Sequence, residues 1–361
     1  MKSLPRLDAG MKRIGLAEGP PRPTAGVDAS PTVVVIPGDG IGPEVIDAAV
    51  RVLREVLGGE LELEERRAGY RLWKEKGVTI EEDTIEACRE ADAVLFGACT
   101  TPEDPEAESP IVRLRRELDL YANVRPARSW PVPRPTETEF DFVIVRENTE
   151  GLYVGCECEV HDGVTIALRK ISRKGARRVA EVACDLAEDR DGRVTIVHKA
   201  NVLKLTCGTF KREAAEVIES RGLEWEEEYV DAAAYKLVLE PDRFDVILTS
   251  NLFGDVLSDL AAGLMGSLGL APSANLGEEH ALFEPVHGSA PDIAGKGIAN
   301  PIAAILSAAM MLEWLGYEEE ARAVERAVEE TLREGVRTPD IGGKASTEEV
   351  TEEIVSRLGE G

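Results

Sequence analysis

The sequence predicts an α/β protein in which most strands pair in parallel. Short apolar runs that suit buried strands alternate along the chain with amphipathic stretches that suit helices. TVVVI (32–36) has the pattern of a buried strand, and Pro43 then stands in the first turn of a helix, where proline is tolerated. Such alternation is typical of a sheet covered by helices.

Further elements follow in the same pattern. Four later apolar runs predict strands: ADAVLFGA (91–98), FDFVIVRE (140–147), RVTIVHK (193–199) and FDVILTS (244–250). The stretch RKGARRVAEVACDLAED predicts a helix between two of them, and a long apolar helix is predicted after residue 300. In residues 151–171, polar and apolar residues alternate around an Asp-Gly pair, which predicts a β-hairpin.

Length and charge limit the class of protein. The 361 residues, 43% of them apolar, allow one to three domains with large cores. A formal net charge of −26 disfavours nucleic acid as a partner, because its phosphates would be repelled. No apolar run reaches the roughly 18 residues of a membrane span, and the first residues lack the apolar part of a secretory signal. We therefore predict a cytoplasmic protein, with residues 1–30, rich in proline and glycine, as a flexible extension.

Cysteine and histidine offer little material for common metal and nucleophile sites. The six cysteines include no Cys-x-x-Cys pair, and there are only four histidines. A zinc site or a Ser–His–Asp triad is therefore not indicated. We expect the cysteines to be free thiols in a reducing compartment.

The loop GDGIG (38–42) lies between the first strand and the first helix. A Rossmann loop has the spacing Gly-x-Gly-x-x-Gly, and here the third glycine comes one residue early. We interpret the loop as a tight turn, with direct pyrophosphate binding as the alternative. Phosphoryl transfer on a P-loop is not indicated, because the required Gly-Lys-Ser/Thr pattern is missing.

Charged residues stand at or beyond the ends of four strand-like runs, FDFVIV, VTIV, EEEYV and FDVILT. In that order they are Arg146, Lys199, Asp231 and Asp255. Ligands of open α/β sheets bind outside the carboxyl ends of the strands, so one cluster of these charges would form a site there. Ordinary interpretations also exist. Asp231 suits a helix N-cap, Lys199 suits a surface position, and Asp255 suits a solvated helix face.

Two more features favour a site for a cation and a carboxylate. Asp255 and Asp259 are four residues apart in NLFGDVLSD, so a helix would place both on one face, as a shared cation would require. Arg125 lies beside Pro126 and outside any clear helix. It is the best candidate for a carboxylate clamp, because a guanidinium group matches a carboxylate in bidentate fashion.

Six long motifs occur in order between residues 32 and 358. They are VVIPGDGIGPEV, LDLYANVRP, VIVRENTEGLYVG, HKANVLK, NLFGDVLSDLAAG and FEPVHGSAPDIAGKGIANP. Together they resemble the motifs of the β-decarboxylating dehydrogenases, which include the 3-isopropylmalate, isocitrate and homoisocitrate dehydrogenases. The resemblance implies an oxidoreductase with two domains that share a mixed sheet, without a Rossmann fold.

The same resemblance implies where the domains lie. Residues 31–120 plus 267–361 would form the cofactor-side domain, and residues 121–266 would form the domain for dimerisation, substrate and metal. The hairpin at about 151–171 resembles an intersubunit arm, so an obligate homodimer is implied.

Roles for individual residues also follow from the resemblance. Arg115, Arg125 and Arg146 would bind the two malate carboxylates of a small-molecule substrate. Tyr153 and the partner subunit's Lys199 would form the acid–base pair.

A divalent metal is implied as well. Asp255 and Asp259, together with Asp231 of the partner subunit, would hold Mg²⁺ or Mn²⁺, both of which prefer oxygen ligands.

The motif HGSAPDIAGKGIAN bears on the choice of cofactor. Asp292 would accept hydrogen bonds from the adenosine ribose and would repel a 2′-phosphate, so NAD is favoured. NADP-using relatives carry Lys-Tyr where this chain has Asp292 and Ile293. The remaining residues that match the cofactor loop are His287, Gly288, Ser289 and Asn300.

The choice of substrate depends on the segment before Arg115. Ile111 and Val112 lie about one helical turn earlier and would suit an alkyl group, which favours 3-isopropylmalate and a role in leucine biosynthesis. Residues 148–151 read Asn-Thr-Glu-Gly, as in isocitrate and homoisocitrate enzymes, and Arg113 could reach a distal carboxylate. Homoisocitrate, or isocitrate, is therefore the alternative. A non-catalytic acidic binding protein on the same fold is a hypothesis of a different class.

Overall fold

The computed structural model describes residue 16 and residues 30–104 and 107–359. The flexible extension predicted for residues 1–30 therefore lies outside the described residues, apart from Leu16 and Ser30. Leu16 is buried and belongs to the main hydrophobic core. In the part of the chain that the structure describes, no helix is long and apolar enough to cross a membrane.

Strands and helices alternate through most of the described chain. The strands are β1 (Thr32–Ile36), β2 (Glu62–Glu65), β3 (Ala93–Phe96), β4 (Ala122–Arg128), β5 (Asp141–Glu147), β6 (Glu157–His161), β7 (Val164–Ala167), β8 (Arg193–His198), β9 (Glu224–Tyr229), β10 (Val246–Thr249), β11 (Pro272–Leu276) and β12 (Ala281–Pro285). The α-helices are α1 (Gly42–Leu57), α2 (Tyr70–Lys76), α3 (Glu82–Glu90), α4 (Pro110–Glu117), α5 (Arg173–Glu188), α6 (Thr206–Ser220), α7 (Val230–Leu239), α8 (Asn251–Met265), α9 (Ile302–Trp314), α10 (Glu318–Arg333) and α11 (Thr347–Gly359). Short 3₁₀ helices cover Leu152–Val154, Pro241–Arg243, Leu268–Leu270 and Pro339–Ile341.

Ten strands form one mixed sheet, in the order β2-β1-β3-β12-β11-β4-β5-β10-β8-β9. Two groups of parallel strands, β2-β1-β3-β12 and β5-β10-β8-β9, lie at its two ends. β11 and β4 join the groups by antiparallel pairing, so the groups run in opposite directions. The predicted α/β class is confirmed, and the sheet is shared and mixed, unlike the mostly parallel Rossmann sheet.

The predicted elements are present, and four strands are additional. The five apolar runs form β1, β3, β5, β8 and β10, and the predicted helices form α5 and α9. β2, β4, β11 and β12 were not predicted from the sequence. β2 is the acidic, mostly exposed run ELEE, in which Leu63 is the one apolar residue. The sequences of β4, β11 and β12, ANVRPAR, PSANL and ALFEP, contain proline and buried polar residues, which weaken the strand pattern.

The predicted hairpin forms β6 and β7, paired antiparallel around Asp162 and Gly163. Every residue of the two strands is exposed. Val160, Val164 and Ile166 each leave more than 40% of their surface exposed. The hairpin therefore contributes almost nothing to the core of its own chain.

Helix packing places α8 where the two parallel groups meet. α9 packs on β11 and β12 and is covered in turn by α1 and α10, so 12 of its 13 residues are buried. α5 and α6 pack together on the β5-β10-β8 group. α8 lies against β4 and β5, and this position brings its acidic residues to the charged end of β5.

Candidate active site

The charged strand ends lie at one edge of the sheet, as predicted. β5, β10, β8 and β9 are parallel neighbours, so their carboxyl ends share that edge. Among the described residues, these four charges form two ion pairs. Arg146 pairs with Asp255, and Lys199 pairs with Asp231.

Asp255 joins Arg146 to Tyr153. Its Oδ1 accepts a hydrogen bond from Nη1 of Arg146, and its Oδ2 accepts one of 2.5 Å from the Tyr153 hydroxyl. Asn251, the first residue of α8, accepts bonds of 3.1 and 2.6 Å from Nε and Nη2 of Arg146. A Cβ at Gly254 would lie 2.6 Å from the Arg146 side chain, so glycine lets α8 approach this closely. Arg146, 1% exposed, is therefore held at all three of its nitrogens.

Arg125 approaches the same carboxylate from the middle of β4. Its Nη1 lies 3.5 Å from Oδ1 of Asp255 and also donates to Oγ of Ser258. Its Nε donates to Oδ1 of Asn123 at 2.5 Å. The side chain is buried, so its position is determined by these three partners.

Arg115 lies on α4 and is held by β12. Its Nη2 donates to Oε1 of Glu284 at 2.8 Å, and both side chains are 11% exposed. Its Nε is buried without a hydrogen-bond partner among the described residues. This nitrogen can donate to a ligand that enters beside α4.

The three arginines leave this edge of the sheet with excess positive charge. Burial, and then the charges of Arg146 and Arg115, lower the pKa of Arg125 to about 9. Burial, and then the charge of Arg115, lower the pKa of Arg146. Asp255 and Glu284 only partly offset these charges. A ligand with two negative charges would relieve the repulsion among the guanidinium groups and would be stabilised here.

The two acidic residues of α8 differ in their surroundings. Burial acts to raise the pKa of Asp255, but Arg146, Tyr153 and Arg125 together bring it below its usual value. Asp259, one turn further along, lies at the exposed side of α8. Partial desolvation raises the pKa of Asp259, against the lowering effect of Arg125. Asp255 is therefore the more strongly ionised of the two.

The donor set on α8 suits a hard divalent cation. Asp255 and Asp259 share one helix face, and Mg²⁺ commonly binds one or two protein carboxylates and completes its shell with substrate and water. Within residues 16, 30–104 and 107–359, no three acidic, histidine or cysteine side chains converge on a point that could hold a metal. Asp231 is therefore not a third ligand within one chain.

Lys199 and Asp231 form a pair of their own. Lys199 follows β8, and its Nζ donates to Oδ1 of Asp231 and lies 5.5 Å from the centre of the Tyr229 ring. The N-cap interpretation of Asp231 is wrong, because α7 begins at Val230 and Asp231 lies in its first turn. No hydrogen bond or ion pair in the described chain links Lys199 to Tyr153.

The residues predicted to contact the 3-substituent of the malate lie on α4. Ile111 and Val112 are partly buried and precede Arg115 on the same helix. Arg113 points elsewhere, because its Nη2 donates to the carboxylate of Glu82. The α4 surface beside Arg115 therefore presents apolar side chains rather than a free cation.

The predicted cofactor residues lie in the loop after β12. Nδ1 of His287 donates to the carbonyl oxygen of Gly288 at 3.0 Å, and burial lowers the histidine pKa, so the ring is neutral. Its Nε2 is buried without a protein partner among the described residues and can accept a hydrogen bond from a ligand. Asp292 is exposed, whereas Asn300 is buried and donates to Asp340 at 3.1 Å.

The GDGIG loop packs against the predicted cofactor loop at Ser289. Gly38 and Gly40 have φ angles of 81° and 60°, as a tight turn requires. A Cβ at Gly40 would lie 1.9 Å from the carbonyl oxygen of Ser289, and the Ser289 hydroxyl bonds that of Thr100 at 2.7 Å. Asp39 accepts backbone hydrogen bonds of 2.6 and 3.0 Å from Tyr70 and Thr100. The tight-turn interpretation agrees with this geometry.

A buried polar network behind the arginines was missed from the sequence. It joins Asn123, Asn148, Asn275 and Glu284, which are all less than 10% exposed. The available signal was weak. Asn275 and Glu284 are polar residues in the short runs PSANL and ALFEP, and they bond Asn123 and Arg115, which lie 152 and 169 residues earlier in the chain.

Known proteins share the sequence and the fold of this chain. The family described as isocitrate/isopropylmalate dehydrogenase matches residues 32–354. A 3-isopropylmalate/3-methylmalate dehydrogenase of Methanocaldococcus jannaschii is 50% identical over 91% of this chain and 99% of its own. An isocitrate/homoisocitrate dehydrogenase of Thermus thermophilus is 54% identical over 90% of this chain and 98% of its own. The crystal structure of isocitrate dehydrogenase from Methylococcus capsulatus is 43% identical, with a TM-score of 0.87 over 91% of this chain and 99% of its own.

Proposed function

Because the chain belongs to the isocitrate/isopropylmalate dehydrogenase family, whose members are decarboxylating dehydrogenases, we propose that it oxidatively decarboxylates a 3-substituted malate with NAD. 3-Isopropylmalate is the preferred substrate in this proposal, which would give the enzyme a role in leucine biosynthesis. The observation that carries it is the cluster of Arg115, Arg125 and Arg146, in which burial and the neighbouring guanidinium charges lower the pKa of Arg125 and Arg146 and which a bound anion would stabilise. The two carboxylates of the malate part of the substrate suit such a cluster.

Tyr153 and Lys199 are the proposed acid and base. Burial, and then the hydrogen bond to Asp255, raise the pKa of Tyr153, so its phenol stays protonated and can donate to the carbon from which CO₂ leaves. The primary amine of the partner subunit's Lys199 would accept the proton of the 2-hydroxyl. A pair with one proton donor and one proton acceptor is what oxidation followed by decarboxylation requires.

Asp255 and Asp259 would hold Mg²⁺ or Mn²⁺. The metal, when bound, supplies Lewis-acid polarisation of the hydroxyl and of the carbonyl that replaces it. Asp255 would have to exchange its hydrogen bond from Tyr153 for the metal, which frees the phenol to act on the substrate.

NAD is the proposed dinucleotide. Exposed Asp292 would accept hydrogen bonds from the ribose hydroxyls and repel a 2′-phosphate. Neutral His287 offers its unpaired Nε2 as an acceptor. Gly288, Ser289 and Asn300 would complete the cofactor loop.

Two features of the structure support an alkyl-substituted malate. Ile111 and Val112 lie on the helix that carries Arg115, and Arg113 is engaged by Glu82. A third carboxylate on the substrate would face apolar side chains and lose hydration without a partner, at a cost of about 1–3 kcal/mol or more.

Homoisocitrate is the second candidate. It is favoured by residues 148–150 and by the named activity of the Thermus thermophilus relative. In the structure, however, Asn148 bonds Leu120 and Asn275, and Glu150 accepts the N–H of Ser172 at 2.7 Å. These side chains support the sheet and the base of the hairpin, so their identity is a poor guide to the substrate.

A homodimer is part of the proposal. α7 exposes Tyr235, Val238 and Leu239, α8 exposes Val256, and the hairpin exposes Val164, each by 48–67% of its surface. Such apolar faces suit contact with a second copy, with residues 121–266 as the dimerisation domain and residues 31–120 plus 267–361 as the cofactor-side domain.

An NADH-absorbance assay tests the proposed function. 3-Isopropylmalate, 3-methylmalate, isocitrate and homoisocitrate are compared at equal concentration, each with Mg²⁺ or with a chelator. We expect the highest kcat/KM for 3-isopropylmalate and no turnover with the chelator. Preference for a tricarboxylate would overturn the role given to Ile111 and Val112, and a lack of NADH with all four would overturn the proposed function.

A further inference from the structure

Asn275 lies at the centre of the sheet and uses its whole hydrogen-bonding capacity. Its Oδ1 accepts from Nδ2 of Asn123 at 3.0 Å and from Nδ2 of Asn148 at 2.9 Å. Its Nδ2 donates to the carbonyl oxygen of Leu282 at 3.2 Å and to Oε1 of Glu284 at 2.9 Å. An amide has two donors and two acceptor lone pairs, so none is left over in this fully buried side chain.

Two of these partners hold substrate-binding arginines. Asn123 accepts from Nε of Arg125 at 2.5 Å, and Glu284 accepts from Nη2 of Arg115 at 2.8 Å. A continuous path of hydrogen bonds therefore runs from Arg115 through Glu284, Asn275 and Asn123 to Arg125.

The path matters because Arg115 and Arg125 repel each other. The charge of Arg115 is among the causes that lower the pKa of Arg125. The two side chains also come from separate elements, α4 and β4, so no local structure determines their separation. Buried, fully satisfied hydrogen bonds are directional, and they can determine this distance where packing alone would allow several.

We propose that Asn275 is a positioning residue that sets the separation of Arg115 and Arg125 for the malate carboxylates. This inference rests on the proposed function. Every 3-substituted malate has those two carboxylates, so Asn275 determines affinity for the shared part of the substrate and not for the substituent. It does not touch the predicted cofactor loop, so affinity for NAD is independent of it.

Asn275→Ala is the first test. Steady-state kinetics on the complete protein are measured with 3-isopropylmalate, 3-methylmalate and NAD as the varied substrates. We expect KM for both malates to rise about tenfold by the same factor, since four buried polar groups lose a partner, while KM for NAD stays within about twofold. Ser273→Ala is the matched control. It removes a fully buried hydroxyl of the same strand that bonds only the backbone oxygen of Glu284.

A double-mutant cycle separates positioning from a general loss of stability. In an Arg115→Lys background, which already breaks the path, Asn275→Ala should raise KM for the malates by less than about twofold. A purely structural role would give the same factor in both backgrounds and would overturn the inference. If Asn275→Ala does not fold, Asn148→Ala replaces it, because this change removes one of the two groups that donate to Oδ1 of Asn275. KM for the malates should then rise by a smaller factor, with the same dependence on the Arg115→Lys background.

The outcomes remain distinguishable from failure of the proposed function. Absence of NADH formation by the unmodified protein with every malate would overturn the proposed function and this inference together. An active protein in which Asn275→Ala leaves KM for the malates unchanged, or alters KM for NAD equally, would overturn the inference alone.

Discussion

The Tyr153 hydroxyl donates a 2.5 Å hydrogen bond to Asp255, the same carboxylate that pairs with buried Arg146. The tyrosine ring also lies 5.1 Å from the Arg146 guanidinium carbon. One acidic side chain therefore links a proposed proton donor to a proposed substrate anchor.

Tyr153→Phe should lower kcat by about 100-fold or more while KM for the malate changes little, because the ring remains and only the proton donor is lost. The raised pKa of Tyr153 means that the phenol stays protonated beyond its ordinary value of 10. NADH formation measured at saturating substrate tests this. Tyr70→Phe, on α2, is the control and should retain full activity. An active Tyr153→Phe variant would remove the tyrosine from the mechanism.

Lys199 should act across the subunit interface. Lys199→Met and Tyr153→Phe are each expected to be inactive as homodimers. Mixed dimers formed after denaturation and refolding would contain one site with both residues intact. In an equal mixture, random pairing makes half of the dimers mixed, and each mixed dimer has one intact site out of two. About one quarter of the wild-type activity should therefore return.

Two controls accompany the mixing experiment. Lys211→Met should be active alone, because Lys211 is a neighbouring lysine paired with Glu227 at 2.8 Å. Tight binding of NAD and malate by Lys199→Met would show that the fold is intact. Failure of activity to return would mean that Tyr153 and Lys199 do not serve one site from two subunits.

Asp259→Asn should weaken the affinity for Mg²⁺ or Mn²⁺ by about tenfold or more, because the amide keeps the shape but loses the charge that a hard cation prefers. Titration of activity with metal after chelation measures this. Asp47→Asn, an exposed acid on α1, should match the unmodified protein. Unchanged metal dependence of Asp259→Asn would place the metal elsewhere.

Asp292→Lys combined with Ile293→Tyr should shift the preference from NAD towards NADP. The substitution removes a carboxylate that would repel the 2′-phosphate and adds a cation that attracts it. We expect the ratio of kcat/KM for NAD to kcat/KM for NADP to fall by about 100-fold. KM for the malate serves as the internal control and should stay constant. An unchanged ratio would show that Asp292 does not face the ribose.

Glu313→Gln should stabilise the protein at pH 8 and have no effect near pH 4. Burial, and then the charge of Glu325, raise the pKa of Glu313 from 4.5 to about 7, against the lowering effect of the Leu16 backbone N–H. The folded state therefore binds more protons than the unfolded state between these values, so its stability falls as pH rises through that window. Each pKa unit is worth about 1.4 kcal/mol, which gives a gain on the order of 1–3 kcal/mol above pH 7.

Unfolding in urea at the two pH values measures the effect of Glu313→Gln. Glu319→Gln, an exposed acid of the next helix, should show no difference between them. A gain for Glu313→Gln that is the same at both pH values would mean that titration of Glu313 does not contribute.

Local patterns were sufficient for most of the secondary structure and for the identity of the charged residues. β5 is apolar from Phe142 to Val145, directly before Arg146, and Asp255 and Asp259 share a helix face because four residues make about one turn. These features depend only on residues that are near one another in the chain, so they can be predicted from the sequence.

The chain itself therefore determined the α/β class, the β6–β7 hairpin and the residues available for chemistry, because periodicity, turn residues and motifs are local properties. Only the tertiary structure decided that β4 and β11 pair antiparallel, so that the two parallel groups of the sheet run in opposite directions. It also decided that Arg146 pairs with Asp255 while Lys199 pairs with Asp231. The link from Arg115 to Arg125 through Asn275 likewise appears only in the folded chain. These contacts join side chains that are distant in sequence. Their partners are selected by packing and by the need to satisfy buried polar groups, and no pattern of neighbouring residues records that choice.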